Sequence, residues 1–138
     1  MSDGTDTREL ARRIRIHALR MTSRAGASHI GAALSIADIL AVLYGAALRV
    51  DSACPDWPGR DRFILSKAHA SFPLCLLLRE KGFQPKLTTH LELDPSNGIH
   101  CTTGSLGHGL PIATGMAIAR KEKNIPGKIF VLISDGEC

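Results

Sequence analysis

Three glycines in one short segment are the residues of this chain best suited to binding a phosphorylated ligand. Residues 102–109 read Thr-Thr-Gly-Ser-Leu-Gly-His-Gly and lead into a helix-forming stretch. Backbone N–H groups in such a loop, with the N-terminus of the following helix, can bind diphosphate oxygens. A P-loop is excluded because no Gly-Lys-Ser/Thr follows. A nicotinamide site is the weaker alternative, since its Gly-x-Gly-x-x-Gly directly follows a strand, whereas these glycines are spaced G-x-x-G-x-G after a long loop.

Three histidines lie in segments with no regular hydrophobic period. They are His29, His69 and His90. Each alone is more often a structural or surface histidine, but near a glycine-rich loop they suit acid/base work around an oxygen-rich substrate. His17, within the first predicted helix, and His100, beside Cys101, are interpreted as structural.

A carboxylate and a glycine directly follow an apolar stretch at residues 128–133. Residues 134–138 read Ser-Asp-Gly-Glu-Cys. In open α/β sheets, ligands bind outside the carboxyl ends of the strands. Asp135 by itself would be a turn residue or a helix N-cap. Beside a diphosphate-binding loop, its oxygen chemistry instead suits Mg²⁺, with Ca²⁺ as the alternative.

Hydrophobic spacing and turn residues predict the elements that position these side chains. Asp6 and Glu9 have the spacing of a capping box at the start of the first helix, and Pro73 fits the first turn of a later one. The predicted helices cover residues 6–22, 35–48, a stretch ending near Glu80, and 109–123; the predicted strands are 62–65 and 128–133, with loops at 23–31 and 84–104.

This order of elements predicts an α/β fold. Two strands separated by helices imply parallel pairing with crossover connections. A parallel sheet is normally covered on both faces and has several strands, so two strands alone would leave apolar surface open. We therefore expect residues 1–138 to form the N-terminal part of a larger parallel sheet with flanking helices.

The composition indicates an ordinary globular protein and no membrane or nucleic-acid partner. The 138 residues are 44% hydrophobic and 22% charged, and no apolar run approaches the roughly 20 residues of a membrane helix. The net charge is +4, but only 4% of residues are aromatic and could stack on bases. Four cysteines without C-x-x-C spacing predict free thiols in the reducing cytoplasm: Cys54, Cys75, Cys101 and Cys138.

Four motifs in this chain together resemble those of transketolases. They are SHIGAALSIADIL at residues 28–40, DRFILSKAH at 61–69, TGSLGHG at 103–109 and SDGE at 134–137. The resemblance is nearest to the N-terminal subunit of two-chain bacterial transketolases, spans nearly the whole chain and is cut short at the metal motif. It implies a thiamine diphosphate-binding fold and two-carbon ketol (glycolaldehyde) transfer.

The resemblance also implies roles for individual residues. His29 and His90 would be catalytic and hydrogen-bond the oxygens of the ketose donor. Asp135 would ligate Mg²⁺. The residues implied in cofactor binding are His69, Gly104, Ser105, Leu106, Asp135, Gly136 and Glu137.

The chain departs from the family pattern at three points. Ala68 and Ser134 replace glycines, and because both are small we expect altered loop geometry more than lost chemistry. The Asn that completes the family's metal motif lies further along than Cys138, so the metal site is incomplete within these residues.

The resemblance implies a partner subunit or missing portion that carries this Asn and the aminopyrimidine-binding domain with its activating Glu. We expect a dimer or heterotetramer that uses a sugar phosphate or related ketose donor, and a chain that is inactive alone. The alternative from another class is a catalytically inert assembly module, or a split-gene remnant, with the same fold.

Overall fold

The computed structural model describes residues 6–26 and 28–138. Five α-helices and two strands are joined by short 3₁₀ turns and one π-helical turn at Leu43–Ala47. Within this part of the chain, no helix has both the length and the apolar character needed to cross a membrane. The elements are α1 Thr7–Ala25, α2 Ile30–Ser35, α3 Ala37–Val42, β1 Arg62–Leu65, α4 Ser71–Glu80, α5 Gly109–Glu122 and β2 Ile129–Leu132.

Helix α1 confirms the predicted N-terminal helix and extends it by three residues. The Asp6 carboxylate accepts hydrogen bonds from the backbone N–H groups of Arg8 and Glu9, as an N-cap should. The Glu9 side chain pairs with Arg12. Gly26 closes the helix in the left-handed conformation with φ 59°, a common helix end for glycine.

The predicted loop at 23–31 and helix start at Ser35 are wrong in detail. Helix α2 already begins at Ile30, and the chain bends at Ile36 before α3. The Ser35 hydroxyl donates to the carbonyl of Ala32 at 2.8 Å, so it closes α2 instead of capping α3. Serine favours helix starts, but Ser35 lies here at a helix end.

The two strands pair in parallel, as predicted. Arg62 lies opposite Ile129 and Leu65 opposite Leu132. Helices α1 and α3 pack together, and α1 and α4 pack together on one face of the sheet. The apolar side chains of Leu10, Ile14 and Ala18, which recur at helical spacing in α1, are buried in this core, whereas Met21 at the same spacing is only half-buried.

The other side of the sheet is much less covered by the described residues. Every residue of β2 is only half-buried. Helix α5 packs on β2, yet only Gly109, Ala113 and Arg120 of its residues are buried. Leu110, Ile112 and Ile118 are 38–54% exposed. The described residues thus leave this side of the sheet partly open.

Candidate functional site

The candidate functional residues converge because β1 and β2 are parallel and end at the same edge of the sheet. Ser66 directly follows β1, and the turn Asp135–Glu137 follows β2. The glycine loop at residues 102–109 lies at the same edge: the Thr103 hydroxyl donates to the carbonyl of Leu65 at 2.8 Å. The sequence motifs are thereby brought to one face of the molecule.

A single carboxylate joins these segments. Glu137 Oε1 accepts from the Ser66 hydroxyl at 2.5 Å and from the Gly107 N–H at 3.0 Å. Its Oε2 accepts from the Ser134 N–H at 2.7 Å and from the Ser134 hydroxyl at 3.0 Å. Ser66 Oγ in turn accepts from the Gly109 N–H at 3.1 Å. We call Ser66, Gly107, Gly109, Ser134 and Glu137 the carboxylate clasp.

The clasp stabilises the ionised form of Glu137. Burial alone raises the pKa of this carboxyl group, but the hydrogen bonds from Ser66, Gly107 and Ser134 outweigh burial and lower the pKa to about 2. The carboxylate is therefore charged at neutral pH and holds the glycine loop against both strand ends.

The glycine loop is closely packed at two of its glycines. A Cβ on Gly109 would collide with the side chain of Ser66, and a Cβ on Gly104 would lie 2.8 Å from Cδ2 of His90. Gly104 also has φ 155°, which disfavours other residues. The N–H groups of Gly104, Ser105 and Leu106 have no acceptor among the described residues. These free donors fit the oxygens of a diphosphate.

The three predicted histidines line one cavity of about 330 Å³, together with Gly26, Ser28, Phe72 and Thr89. The ring centroids of His29 and His69 are 5.0 Å apart. His29 has φ 71°, an uncommon backbone conformation for a residue other than glycine. The structure thus brings together three side chains that are far apart in sequence.

Surrounding groups favour a neutral His69. Burial makes the largest contribution to lowering its pKa, and His29 and Lys67 lower it further; Glu137 acts in the opposite direction. A neutral imidazole can donate through one nitrogen and accept through the other. This property suits contacts with phosphate or hydroxyl oxygens.

A second cavity, of about 430 Å³, adjoins the glycine loop. Thr102, Thr103, Gly104, Ser105, His108 and Ile112 line it, and so does His90. His90 therefore borders both cavities, between the histidine group and the glycine loop. The two cavities therefore adjoin one another at His90.

Asp135 and Gly136 are exposed in the turn that follows β2. Among the described residues, no group of three or more His, Cys, Asp or Glu side chains is arranged to hold a metal ion. Asp135 thus provides one hard oxygen ligand, which fits Mg²⁺ only where diphosphate or further protein oxygens complete its coordination. Leu106 is 50% exposed and can contact a cofactor through its backbone.

The sequence reasoning missed Ser66, Lys67 and His108. Lys67 is 9% exposed, and its ammonium group donates to the Ser35 hydroxyl at 3.0 Å. This bond ties the end of β1 to the end of α2. Their positions in the sequence could have indicated them as site residues. Ser66 and Lys67 directly follow a predicted strand, and His108 lies between two glycines of the loop.

Comparison with known proteins decides the family. Residues 6–131 match the family described as "Transketolase, thiamine diphosphate binding domain". The chain belongs to this transketolase family. It is 37% identical to the 6-deoxy-6-sulfo-D-fructose transketolase subunit of a Clostridium species, over 96% of this chain and 52% of that protein. It is also 37% identical to an apulose-4-phosphate transketolase subunit of Actinobacillus succinogenes, over 98% of this chain and 53% of that protein.

Solved transketolases share the fold. The enzyme from Campylobacter jejuni superposes with a TM-score of 0.82 at 33% identity, over 95% of this chain and 24% of that one. The enzyme from Leishmania mexicana superposes with a TM-score of 0.81 at 28% identity, over 96% of this chain and 23% of that one. The chain spans about half the length of the subunit-type relatives and about a quarter of these solved enzymes. Both results confirm the predicted transketolase family and α/β thiamine diphosphate-binding fold.

Proposed function

We propose that this chain is the diphosphate-binding component of a thiamine diphosphate- and Mg²⁺-dependent enzyme that transfers a two-carbon ketol unit. The observation that carries the proposal is the position of His90, which borders both the histidine cavity and the glycine-loop cavity. A cofactor held by the loop would lie next to a substrate held by His29 and His90.

Thiamine diphosphate, when bound, supplies the carbon nucleophile that breaks a carbon–carbon bond beside a carbonyl group. In this chain, the free N–H groups of Gly104, Ser105 and Leu106 would bind its diphosphate, with His69 and Gly136 as further contacts. Asp135 would ligate Mg²⁺. His29 and His90 would hydrogen-bond the donor's hydroxyl and carbonyl oxygens and move protons there during bond cleavage.

We propose that Glu137 has a structural role, in place of the direct cofactor contact that the resemblance implies. Its two carboxylate oxygens already accept four hydrogen bonds from the protein. We assign it to holding the glycine loop in the shape that presents free N–H groups. The fixed donors would then need little rearrangement when a diphosphate binds.

A further protein segment, either a partner chain or a continuation of this one, would complete the enzyme. The half-length match to subunit-type relatives supports this, and so do the exposed apolar residues of α5. That portion would supply the metal-binding Asn and the aminopyrimidine-binding domain, in a dimer or heterotetramer. A sugar phosphate or related ketose is the proposed donor. The four free cysteines support a reducing cytoplasm as the location.

An inert assembly module is the second candidate. The exposed apolar side chains of α5 favour it, because they suit a binding surface whether or not catalysis occurs. Activity of the assembled enzyme separates the two candidates.

The test combines this chain with the protein encoded next to its gene and measures two quantities. Calorimetry follows thiamine diphosphate binding with Mg²⁺ and with EDTA, and a coupled assay follows ketol transfer. We expect metal-dependent binding and transfer by the assembly, with no transfer by either component alone. Binding without transfer by the assembly would favour the inert module, and absence of both would overturn the proposal.

A further inference from the structure

We propose that a second site in this domain binds a small oxyanion such as phosphate, in a cavity at the opposite end of the sheet from the glycine loop. The cavity has a volume of about 440 Å³. Its charged and titratable lining residues are Arg60, Arg62, Arg120, Lys123, His100 and Asp56. We call this the arginine cavity. The proposed phosphate binding does not depend on the proposed ketol transfer.

The cavity is well separated from the candidate cofactor site. Arg62 begins β1, whereas Ser66 of the clasp follows the other end of that strand. Arg120 lies in the last turns of α5, eleven residues after Gly109, which corresponds to about 17 Å along the helix. A ligand here would not compete for the free N–H groups of the glycine loop.

Two of the arginines are buried without a counterion among the residues that the structure describes. Arg60 is 4% exposed and Arg120 is 6% exposed. Their hydrogen bonds go to backbone carbonyls: Arg60 donates to Pro95, and Arg120 donates to Pro58 and to the Arg60 carbonyl. Nε of Arg60 and both Nε and Nη1 of Arg120 have no partner among the described residues. Carbonyls carry only partial charge, whereas buried cations are normally paired with anions.

The lining as a whole has an excess of positive charge. Arg60, Arg62, Arg120 and Lys123 form no ion pair with any residue that the structure describes, and Asp56 is the only acidic residue in the lining. Burial, followed by the neighbouring Arg60 and Arg62, lowers the pKa of His100 to about 3. A nearby anion would offset this repulsion, and arginine forks bind oxyanions through paired hydrogen bonds.

Phosphate itself is the probe for this site. The full chain is titrated with sodium phosphate at pH 7.5, against sodium chloride of equal ionic strength, and followed by its thermal midpoint and by calorimetry. Arg62→Gln and Lys123→Gln each remove one cation from the lining. Lys121→Gln is the matched control, because Lys121 is exposed on the same helix and is not among the lining residues.

We expect phosphate to raise the thermal midpoint of the wild type and the Lys121→Gln control. Its dissociation constant should increase about tenfold in Arg62→Gln and in Lys123→Gln, since a charged hydrogen-bond partner is lost. An equal response in all four proteins would locate the bound phosphate elsewhere and overturn the proposal. Absence of any response in the wild type would also overturn it.

A tethered carboxylate gives a second test that does not depend on removing an arginine. His100→Glu places a carboxylate among the lining cations at a buried position. It should raise the thermal midpoint without phosphate and abolish the phosphate response. A His100→Glu protein that is stabilised yet still responds fully to phosphate would contradict the site, whereas His100→Gln should keep the wild-type response.

Discussion

Glu137 is the residue on which the geometry of the site depends most. It is the only side chain described here that contacts both strand ends and the glycine loop, through Ser66, Ser134 and Gly107. A carboxylate can accept this many hydrogen bonds because each oxygen has two lone pairs. An amide in the same place would offer one oxygen and one NH₂ group, and the NH₂ group would face donors.

Replacing Glu137 with Gln should therefore lower stability by about 1.5–3 kcal/mol at pH 7. The pKa of Glu137 is about 2 in the folded chain, below its usual value of 4.5. Its contribution is thus complete above about pH 5 and decreases as the pH falls towards 2. Urea unfolding at several pH values should show the wild type and variant converging under acid conditions. Glu122→Gln, exposed on α5, is the control, and a pH-independent difference would contradict the assignment.

The roles proposed for His29 and His90 predict that turnover and cofactor binding respond differently when these histidines are replaced. In the complete assembly, His29→Ala or His90→Ala should reduce kcat by about 10²- to 10⁴-fold, because proton transfer at the substrate is lost. The dissociation constant for thiamine diphosphate should stay near the wild-type value. His17→Ala is the control, since His17 lies on α1 beside Glu80. A large loss of cofactor affinity would reassign the histidine to the cofactor.

Asp135 gives a prediction about the metal. Asp135→Ala in the complete assembly should remove the Mg²⁺ dependence of cofactor binding, because the cation loses an anionic protein ligand. Calorimetry with Mg²⁺ and with EDTA measures this difference. The neighbouring carboxylate variant Glu137→Gln should retain a metal dependence, and unchanged metal-dependent affinity in Asp135→Ala would exclude the proposed ligand role.

At the scale of elements, the long irregular stretch that begins at residue 84 is joined to the glycine loop, residues 102–109, by a backbone bridge. Leu91 pairs with Thr103 through an isolated antiparallel bridge, and Asp94 pairs with Ile99. The first bridge places His90 against Gly104, where a side chain would collide with the imidazole ring. The position of a proposed catalytic histidine thus depends on a glycine in another segment.

Gly104→Ala should consequently displace His90 and disturb the glycine loop. We expect kcat of the assembly to fall at least about tenfold, and cofactor affinity to weaken as well, because the added Cβ would lie 2.8 Å from the ring and φ is 155°. Gly31→Ala on α2 is the matched control, since no atom lies within 4 Å of the added Cβ and α2 is not the helix proposed as the assembly contact. Equal behaviour of the two variants would show that His90 is free to move aside.

At the scale of the whole molecule, one side of the sheet is a closed core and the other is open. The core between α1, α3, α4 and β1 contains fully buried leucines, whereas α5 exposes Leu110, Ile112 and Ile118. These three apolar side chains lie on different sides of α5, and a helix that is apolar on several sides is normally buried by other structure. We therefore propose that the segment completing the enzyme, a partner chain or a continuation of this one, contacts α5.

Ile118→Asp should block assembly while leaving the fold of this chain intact. Ile118 is 54% exposed, so a charge costs little in the isolated chain but would be buried unpaired in an interface. Sedimentation of the chain mixed with its partner measures assembly, and circular dichroism checks the fold. Leu19→Asp is the matched control, because Leu19 is 51% exposed and lies on α1, away from the proposed contact. Normal assembly of Ile118→Asp would place the contact on another surface.

Local sequence patterns predicted two of the elements well. The strand at 62–65 follows from a short apolar run bounded by polar residues, and the helix at 109–123 from a proline in its first turn and small residues that allow close packing. The prediction failed at Ser35, because a serine hydroxyl can bond forwards as a helix cap or backwards to a carbonyl. The sequence does not distinguish these two hydrogen bonds, because both join the serine to backbone groups within about four residues of it.

The sequence by itself determined the element types, the parallel pairing and the transketolase family, since these depend on hydrophobic period and on motifs of neighbouring residues. Only the tertiary structure decided that His29, His69 and His90 share a cavity and that Glu137 joins both strand ends to the glycine loop. It also decided that Arg60 and Arg120 are buried with no counterion in the described part of the chain. The contacts of Glu137 with the glycine loop and with the end of β1 join residues 30 and 71 positions apart. Their geometry depends on how the whole chain packs, and no local pattern of residues encodes it.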